Sequence, residues 1–329
     1  MIDLSGTFPR WSDQTQSLWE SCARQAARDD RLWRFPAPQG DDLLRDRLGQ
    51  VLGLDPAGLT ITVSVRAAAL TYARTSAAIV VERPTFPGVV QVLRSSTAEV
   101  TLRDWDALLS ERSAARPLLW LTSPFRNPDG ATLTAADRAA LVERTEAGQP
   151  VVINAAYLWY APRTRGVPGA DLIGSLHKLG GIGTRLGWVH SATYFTEAVP
   201  ELLGATPSPV WQRTWGLFLE RDGAALLRRD IVEPALASSA AFGNALPWKA
   251  GITGPHGLLT LVPGVAEEQA VRKIEHLGFR VCAGGDFRCP RPSVRVAFLG
   301  VAPAEAERFA AAVASCGLFE PDQVTGGIP

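Results

Sequence analysis

The sequence predicts an α/β protein with a mostly parallel central sheet and a smaller α+β portion at its C-terminal end. Three observations carry this reading. Apolar runs of strand length alternate with helical patterns between residues 77 and 155. Those runs are apolar at consecutive positions, as strands buried on both faces are, and parallel strands need the helical crossovers that separate them. Beyond residue 191 the alternation gives way to long helical stretches, isolated short strands and a last helix.

Residues 13–28 and 41–52 read as amphipathic helices, and the connector RLWRFPAPQG continues neither, because its prolines lack the amide donor a helix needs. Strand runs follow at 77–82 (AAIVVE), 98–102 (AEVTL), 117–123 (PLLWLTS) and 151–155 (VVINA), with helices from Pro87 and over 135–147. Thr134 with Asp137 three residues later has the spacing of a capping box, an Asp standing for the usual Glu or Gln, and Gly148 supplies the stop. ADLIGSL and LGWVHS add strands. A helical stretch spans about 193–245, followed by GLLTLVP, a helix at 265–277, FRVCAGG, VRVAFLG and a helix from Pro303.

The 329 residues are 46% hydrophobic, enough for a large core. Lys plus Arg and Asp plus Glu are both 33, so no net field favours nucleic acid or an anionic membrane, and the expected partners are small molecules. The four cysteines show no C-x-x-C spacing and there are four histidines, which points to no metal site and to a reducing cytoplasm. No run approaches the roughly 20 apolar residues of a membrane span.

The stretch GSLHKLGGIGTRLGW (174–188) concentrates the chemistry. Counted from Gly181, a dinucleotide fingerprint fails at Leu186, and no phosphate-binding P-loop occurs elsewhere. Taken alone, Lys178 reads as a solvated loop charge. Six segments in order change this: RFPAPQGDDLLRDRL, VVERPTFPGVV, LTSPFRNPDGATLT, VVINAAYLWY, GSLHKLGGIGTRLGW and SVRVAFLG. Across residues 34–300 they resemble the class I/II aminotransferases, fold-type I enzymes that use pyridoxal 5′-phosphate (PLP).

The resemblance implies a three-layer PLP-transferase type I fold, divided into an N-terminal segment (1–35) of the small domain or dimer contact, a PLP-binding domain (36–235) and a small domain (236–329). It implies that Lys178 bonds to the cofactor aldehyde and carries the substrate proton, chemistry that needs an amine able to shed its proton near neutral pH. Arg185 and Ser175 resemble the phosphate ligands. Asn127 and Tyr157 resemble the donors to the phenolic oxygen, although NPDG is also an ordinary β-turn composition. Phe86 resembles the aromatic that stacks on the pyridine ring, or is a core Phe. Arg295 resembles the guanidinium that grips the substrate carboxylate; a structural ion pair is the alternative, since a buried arginine needs an anion. A homodimer with shared active sites is implied.

The chain departs from that pattern in several places. Asn154 stands where the family has an aspartate paired with the pyridinium, which predicts a less basic ring nitrogen and a weaker electron sink. Val65, Arg66 and Ala67 stand where small donors normally cradle the phosphate; Arg66 turned inward would replace them, with the helix start at Ala67 still favourable to an anion. Phe35 replaces a tyrosine that reaches the partner's phosphate. His177 replaces a serine, as a proton donor or as a packed structural residue, and the Lys178 to Arg185 interval is one residue short. The brief N-terminal segment predicts an unusually open site.

The leading function is amino transfer between an amino acid and a 2-oxo acid in a specialised amino-acid or natural-product pathway. A same-fold PLP enzyme performing elimination, replacement or oxidation, and a catalytically weak PLP- or amino-acid-binding protein, are the alternatives.

Overall fold

The computed structural model describes residues 1–6, 10–30, 37–110, 113–161, 166–191, 207–248, 252 and 254–321. The chain opens with strand β1 (Ile2–Asp3) and helices α1 (Asp13–Ala26) and α2 (Asp42–Leu52). A sheet follows: β2 (Leu59–Thr62), β3 (Ala78–Arg83), β4 (Glu99–Asp104), β5 (Leu118–Thr122), β6 (Val151–Asn154), β7 (Asp171–Ser175) and β8 (Gly187–His190). Its order is β2-β8-β7-β6-β5-β3-β4, parallel from β7 to β4, with β8 antiparallel to both neighbours. The α/β reading holds. Strand β2 and the helix at Trp105–Ser110 were not anticipated, because four and six residues are too few to show a period.

Every residue of β5 is buried, and its side chains alternate between two cores. Leu118 and Trp120 pack with Ile79, Val81 and Tyr72 on one face; Leu119 and Leu121 pack with Ile153 and Leu141 on the other. Each such side chain contributes roughly 1.5–3 kcal/mol by leaving water. The helix Val65–Thr75 (α3) covers the first face, and the helix Ala135–Glu146, with the expected capping box at Thr134 and Asp137, covers the second. Gly174 is required where β7 meets β8, since a Cβ there would overlap the Trp188 ring.

A second core lies beside a three-stranded sheet of β9 (His256–Thr260), β11 (Cys282–Ala283) and β12 (Ser293–Ala297), while β10 (Phe279–Arg280) pairs with β1. Leu4, Phe242, Phe298 and Phe309 fill it. The helix Glu233–Ala245 bridges the cores, giving Ala235 to the first and Phe242 to the second. The expected helical stretch at 193–245 is helical from Pro209 onward; residues 193–206 lie outside the described ones.

Beyond the pairing of β1 with β10, the N-terminal segment is tied down at two further points. Asp230 accepts from the Ser12 amide at 3.1 Å and from the Thr15 hydroxyl at 2.6 Å, fixing the start of α1. Trp11 stacks on Phe218 with ring centroids 5.7 Å apart, and its Nε1–H donates to the Leu179 carbonyl at 2.7 Å. The chain entering α1 therefore braces the loop that carries Lys178.

Glu82, at the end of β3, is fully buried, and its oxygens make no well-formed hydrogen bond among the described residues. Burial pushes its carboxyl up to about 8, against the opposing pull of Arg126 and Thr122 at longer range. The folded state thus holds a proton that the unfolded chain releases above about pH 4.5, so stability from this group is present below that pH and is lost as pH rises toward 8. Glu82→Gln is expected to match the wild type near pH 5 and to exceed it by up to about 3 kcal/mol at pH 8. Urea midpoints at the two pH values check this; an equal difference at both refutes the buried neutral acid.

Candidate active site

Because β5, β6 and β7 run parallel, their C-terminal ends share one edge of the sheet, the edge at which ligands bind in open α/β folds. Thr122 ends β5, its register partner Asn154 ends β6, and Ser175 ends β7. Lys178 follows on a single helical turn, His177–Gly180. Above this edge lies a cavity of about 400 Å³, between the central sheet and the second core. Lys178, Tyr157, Asn127, Asn154, Phe86, Arg185, Arg66 and Arg295 all line it, so side chains spread over 230 positions converge on one space.

Its electrostatics are one-sided. Among the described residues the wall carries four cationic side chains, Arg66, Lys178, Arg185 and Arg295, and no carboxylate. Arg66 reaches across Gly88, where a Cβ would lie 2.7 Å from the Arg66 guanidinium and 2.7 Å from the Phe86 ring. The N-terminus of α3 adds its dipole, with Ser64 as N-cap: the Ser64 hydroxyl oxygen accepts from the Ala67 amide at 3.2 Å and keeps its own hydrogen to donate. Burial, then Lys178, Arg185 and Arg66, push the His177 imidazole down to about 3, so it is neutral. Such a wall accepts a multiply charged anion.

Lys178 Nζ lies 5.3 Å over the Tyr157 ring. Tyr157, buried at the start of a tight turn, also packs against His256, ring centroids 4.8 Å apart. His256 is fully buried; its ring nitrogen donates to the Arg126 carbonyl at 2.8 Å, and burial, then Arg295, hold it well below the usual imidazole range. Asn127 is set by the buried ion pair of Arg126 with Asp129, whose Nε and Oδ1 are 3.0 Å apart, and by the turn that closes from the Gly130 amide to the Arg126 carbonyl.

Arg295 is 5% exposed and projects from β12, where the sequence anticipated a buried anionic partner. None exists among the described residues. Its Nη1 donates to the Ser5 carbonyl at 2.8 Å, the guanidinium lies 5.5 Å from the Phe287 ring, and Nε has no acceptor among the described residues. Gly6, at φ +113°, keeps a Cβ from coming within 3.1 Å of Arg295 Nη1. Ser5 and Gly6 line the cavity, so the N-terminal segment does reach the site, contrary to the open site anticipated from its brevity. β1 holds it there by pairing with β10, a long-range pairing that two residues cannot advertise.

Two expected ligands are not at the wall. Ala67 gives its amide to Ser64, and the Ser175 hydroxyl, 1% exposed, is bonded to the His177 ring and amide. Phe35 lies outside the described residues. Ser64, Ser5 and Gly6 at the wall, and His256 packed on Tyr157, are additions. Ser64 was signalled by its place before a helix; the others depend on tertiary neighbours.

The arrangement fits PLP on its own terms. The cation cluster with the α3 N-terminus suits a phosphate, the amine of Lys178 suits an aldehyde, and Asn127 Oδ1, Asn154 Oδ1 and Arg295 Nε are buried polar atoms without partners among the described residues.

Residues 3–188 match the family model described as aminotransferase class I and II. No curated protein matches the chain. Among solved structures it is similar to an aminotransferase from Mycobacterium tuberculosis, with TM-score 0.81 and 17% identity over 96% of this chain and 91% of that one. It is also similar to LysN, the α-aminoadipate aminotransferase of Thermus thermophilus complexed with N-(5′-phosphopyridoxyl)-L-leucine, with TM-score 0.76 and 18% identity over 95% and 92%. A kynurenine aminotransferase of Pyrococcus horikoshii gives TM-score 0.75 and 18% identity over 95% and 90%. At these identities the structures show the shared fold.

Proposed function

The chain belongs to the class I and II aminotransferase family and is a PLP-dependent aminotransferase; from that premise we propose that it moves an amino group between an amino acid and a 2-oxo acid in a specialised amino-acid or natural-product pathway. The observation that carries the reading is Lys178 Nζ over the Tyr157 ring in a cavity with four cations and no carboxylate among its described residues. Bound PLP supplies an aldehyde and an electron-withdrawing ring.

The residues divide the work as follows. Lys178 would be the amine that meets the aldehyde of bound PLP and, once released from it, would carry a proton to or from the substrate Cα. Tyr157 and Asn127 would donate to the phenolic oxygen, and Phe86 would cover the ring. Arg66, Arg185 and Ser64 would hold the phosphate with the α3 amides. Arg295, already buried and bonded through Nη1 to the Ser5 carbonyl, would offer its Nε–H, which has no acceptor among the described residues, to the substrate carboxylate without reorganisation. We further propose a cytoplasmic homodimer: Val63 and Phe86, each 37% exposed near the cavity, support a second copy closing the site, and the free cysteines suit a reducing compartment.

Asn154 favours a second reading, the same fold performing elimination, replacement or oxidation, because its neutral amide weakens the electron sink. Incubating the holoenzyme with a panel of amino acids separates the two. Stoichiometric conversion of the cofactor to its amine form, reversed by 2-oxo acids, is expected. Release of ammonia or a leaving group with PLP regenerated would establish the second reading instead.

A further inference from the structure

The Ser175 hydroxyl is the group expected at the phosphate, yet it does not line the cavity, whereas His177 does. Two bonds join them. The His177 amide donates to Ser175 Oγ at 3.2 Å, and Ser175 Oγ is hydrogen-bonded to His177 Nδ1. The imidazole therefore stands between the serine and the cavity. Around it are Lys178, Arg185 and Arg66, the three cations at this end of the wall.

We propose that His177 is a ligand of the cofactor phosphate, donating from Nε2, and that Ser175 acts through it as a positioning residue. The proposal rests on the reading of the cavity as a PLP site. A hydroxyl has one hydrogen and two lone pairs, and a neutral imidazole carries its hydrogen on one nitrogen only. With its amide bond to His177 occupying one lone pair, Ser175 Oγ retains the hydrogen that Nδ1 can accept. Nδ1 then has no hydrogen, and the ring's own hydrogen sits on Nε2. The neighbouring cations disfavour a charged imidazole, so His177 adds a directional donor without a fifth positive charge beside an amine that must lose its proton. A serine side chain at 177 would be too short to intervene between Ser175 and the cavity.

The test compares binding of PLP with binding of pyridoxal, which lacks the phosphate, by equilibrium titration of the apoprotein. Wild type is expected to prefer PLP strongly. His177→Phe, which keeps a planar ring and removes the donor, should lose roughly 10- to 100-fold in PLP affinity and leave pyridoxal affinity unchanged. His177→Gln, which retains a side-chain N–H, should recover part of the loss. Ser175→Ala should weaken PLP binding several-fold in the wild-type background and not at all in His177→Phe, since the serine acts only through the histidine. A wild-type ratio of PLP to pyridoxal affinity in His177→Phe overturns the proposal while leaving the PLP reading intact. A full Ser175→Ala effect in the His177→Phe background also overturns it, by placing the hydroxyl directly on the phosphate. Wild type that binds neither compound overturns both.

Discussion

Replacing Lys178 with alanine is expected to leave a folded protein that binds PLP only reversibly and transfers amino groups on the order of 10⁴-fold more slowly or worse. Lys178 is half-buried and its Nζ contacts the Tyr157 ring at 5.3 Å, a contact worth less than about 1 kcal/mol at such a site, so the thermal midpoint should barely move. Phosphate binding should also persist, because Arg66, Arg185, Ser64 and the α3 amides are untouched. The measurement is treatment of the PLP-loaded protein with borohydride followed by exhaustive dialysis. Wild type should retain the cofactor covalently and Lys178→Ala should release it. Retention by the variant would sink the assignment of Lys178 as the reactive amine, and with it the division of roles around the cavity. No other lysine lines the cavity among the described residues, so another amine is not at hand to substitute.

The reason Lys178 could be found from sequence is that its neighbours are local: GSLHKLGGIGTRLGW places the strand end, the lysine and Arg185 within a dozen positions. The parallel sheet was legible for a similar reason, since β5 and β6 are short, largely apolar runs buried at every position and β3 opens on the apolar run Ala78–Val81. Other features depend on distances that a sequence does not display. Ser5 and Gly6 meet Arg295 across almost the whole chain, brought there by the short pairing of Ile2 and Asp3 with Phe279 and Arg280 and by the backbone bonds of Leu4 to Arg280 and Ala297. Ser175 has the right spacing from Lys178, yet its hydroxyl is diverted because residue 177 is a histidine long enough to take it. Arg295 invited the inference of a buried acid, and the structure instead gives it a backbone carbonyl and an aromatic face. Its readiness for a carboxylate follows from which groups surround it, and those come from distant parts of the chain.

Asn154→Asp is expected to change the chemistry most among substitutions that keep every catalytic side chain. Asn154 is 7% exposed at the end of β6, its Oδ1 has no donor among the described residues, and its strand partner Thr122 is also at the cavity wall. A carboxylate there would be buried without a partner in the apoprotein, and on that ground Asn154→Asp should lower apoprotein stability by roughly 1–3 kcal/mol. PLP would supply the partner, a protonated ring nitrogen, so adding the cofactor should stabilise the variant more than the wild type. The same pairing strengthens electron withdrawal at the substrate Cα, and each unit by which a carboxylate raises the ring nitrogen's basicity is worth about 1.4 kcal/mol. Transamination with a given amino acid should therefore quicken by tenfold or more. Two readouts check this together: thermal midpoints with and without PLP, and the single-turnover rate of cofactor conversion to its amine form. If the variant gains rate, Asn154 is a restraint on a transaminase. If it gains cofactor-linked stability while its products shift from ammonia or a leaving group toward amino transfer, the amide at 154 is what directs the native enzyme to other chemistry. Unchanged rate and unchanged linkage would mean that residue 154 does not face the ring nitrogen, and the orientation of the cofactor in the cavity would have to be reversed.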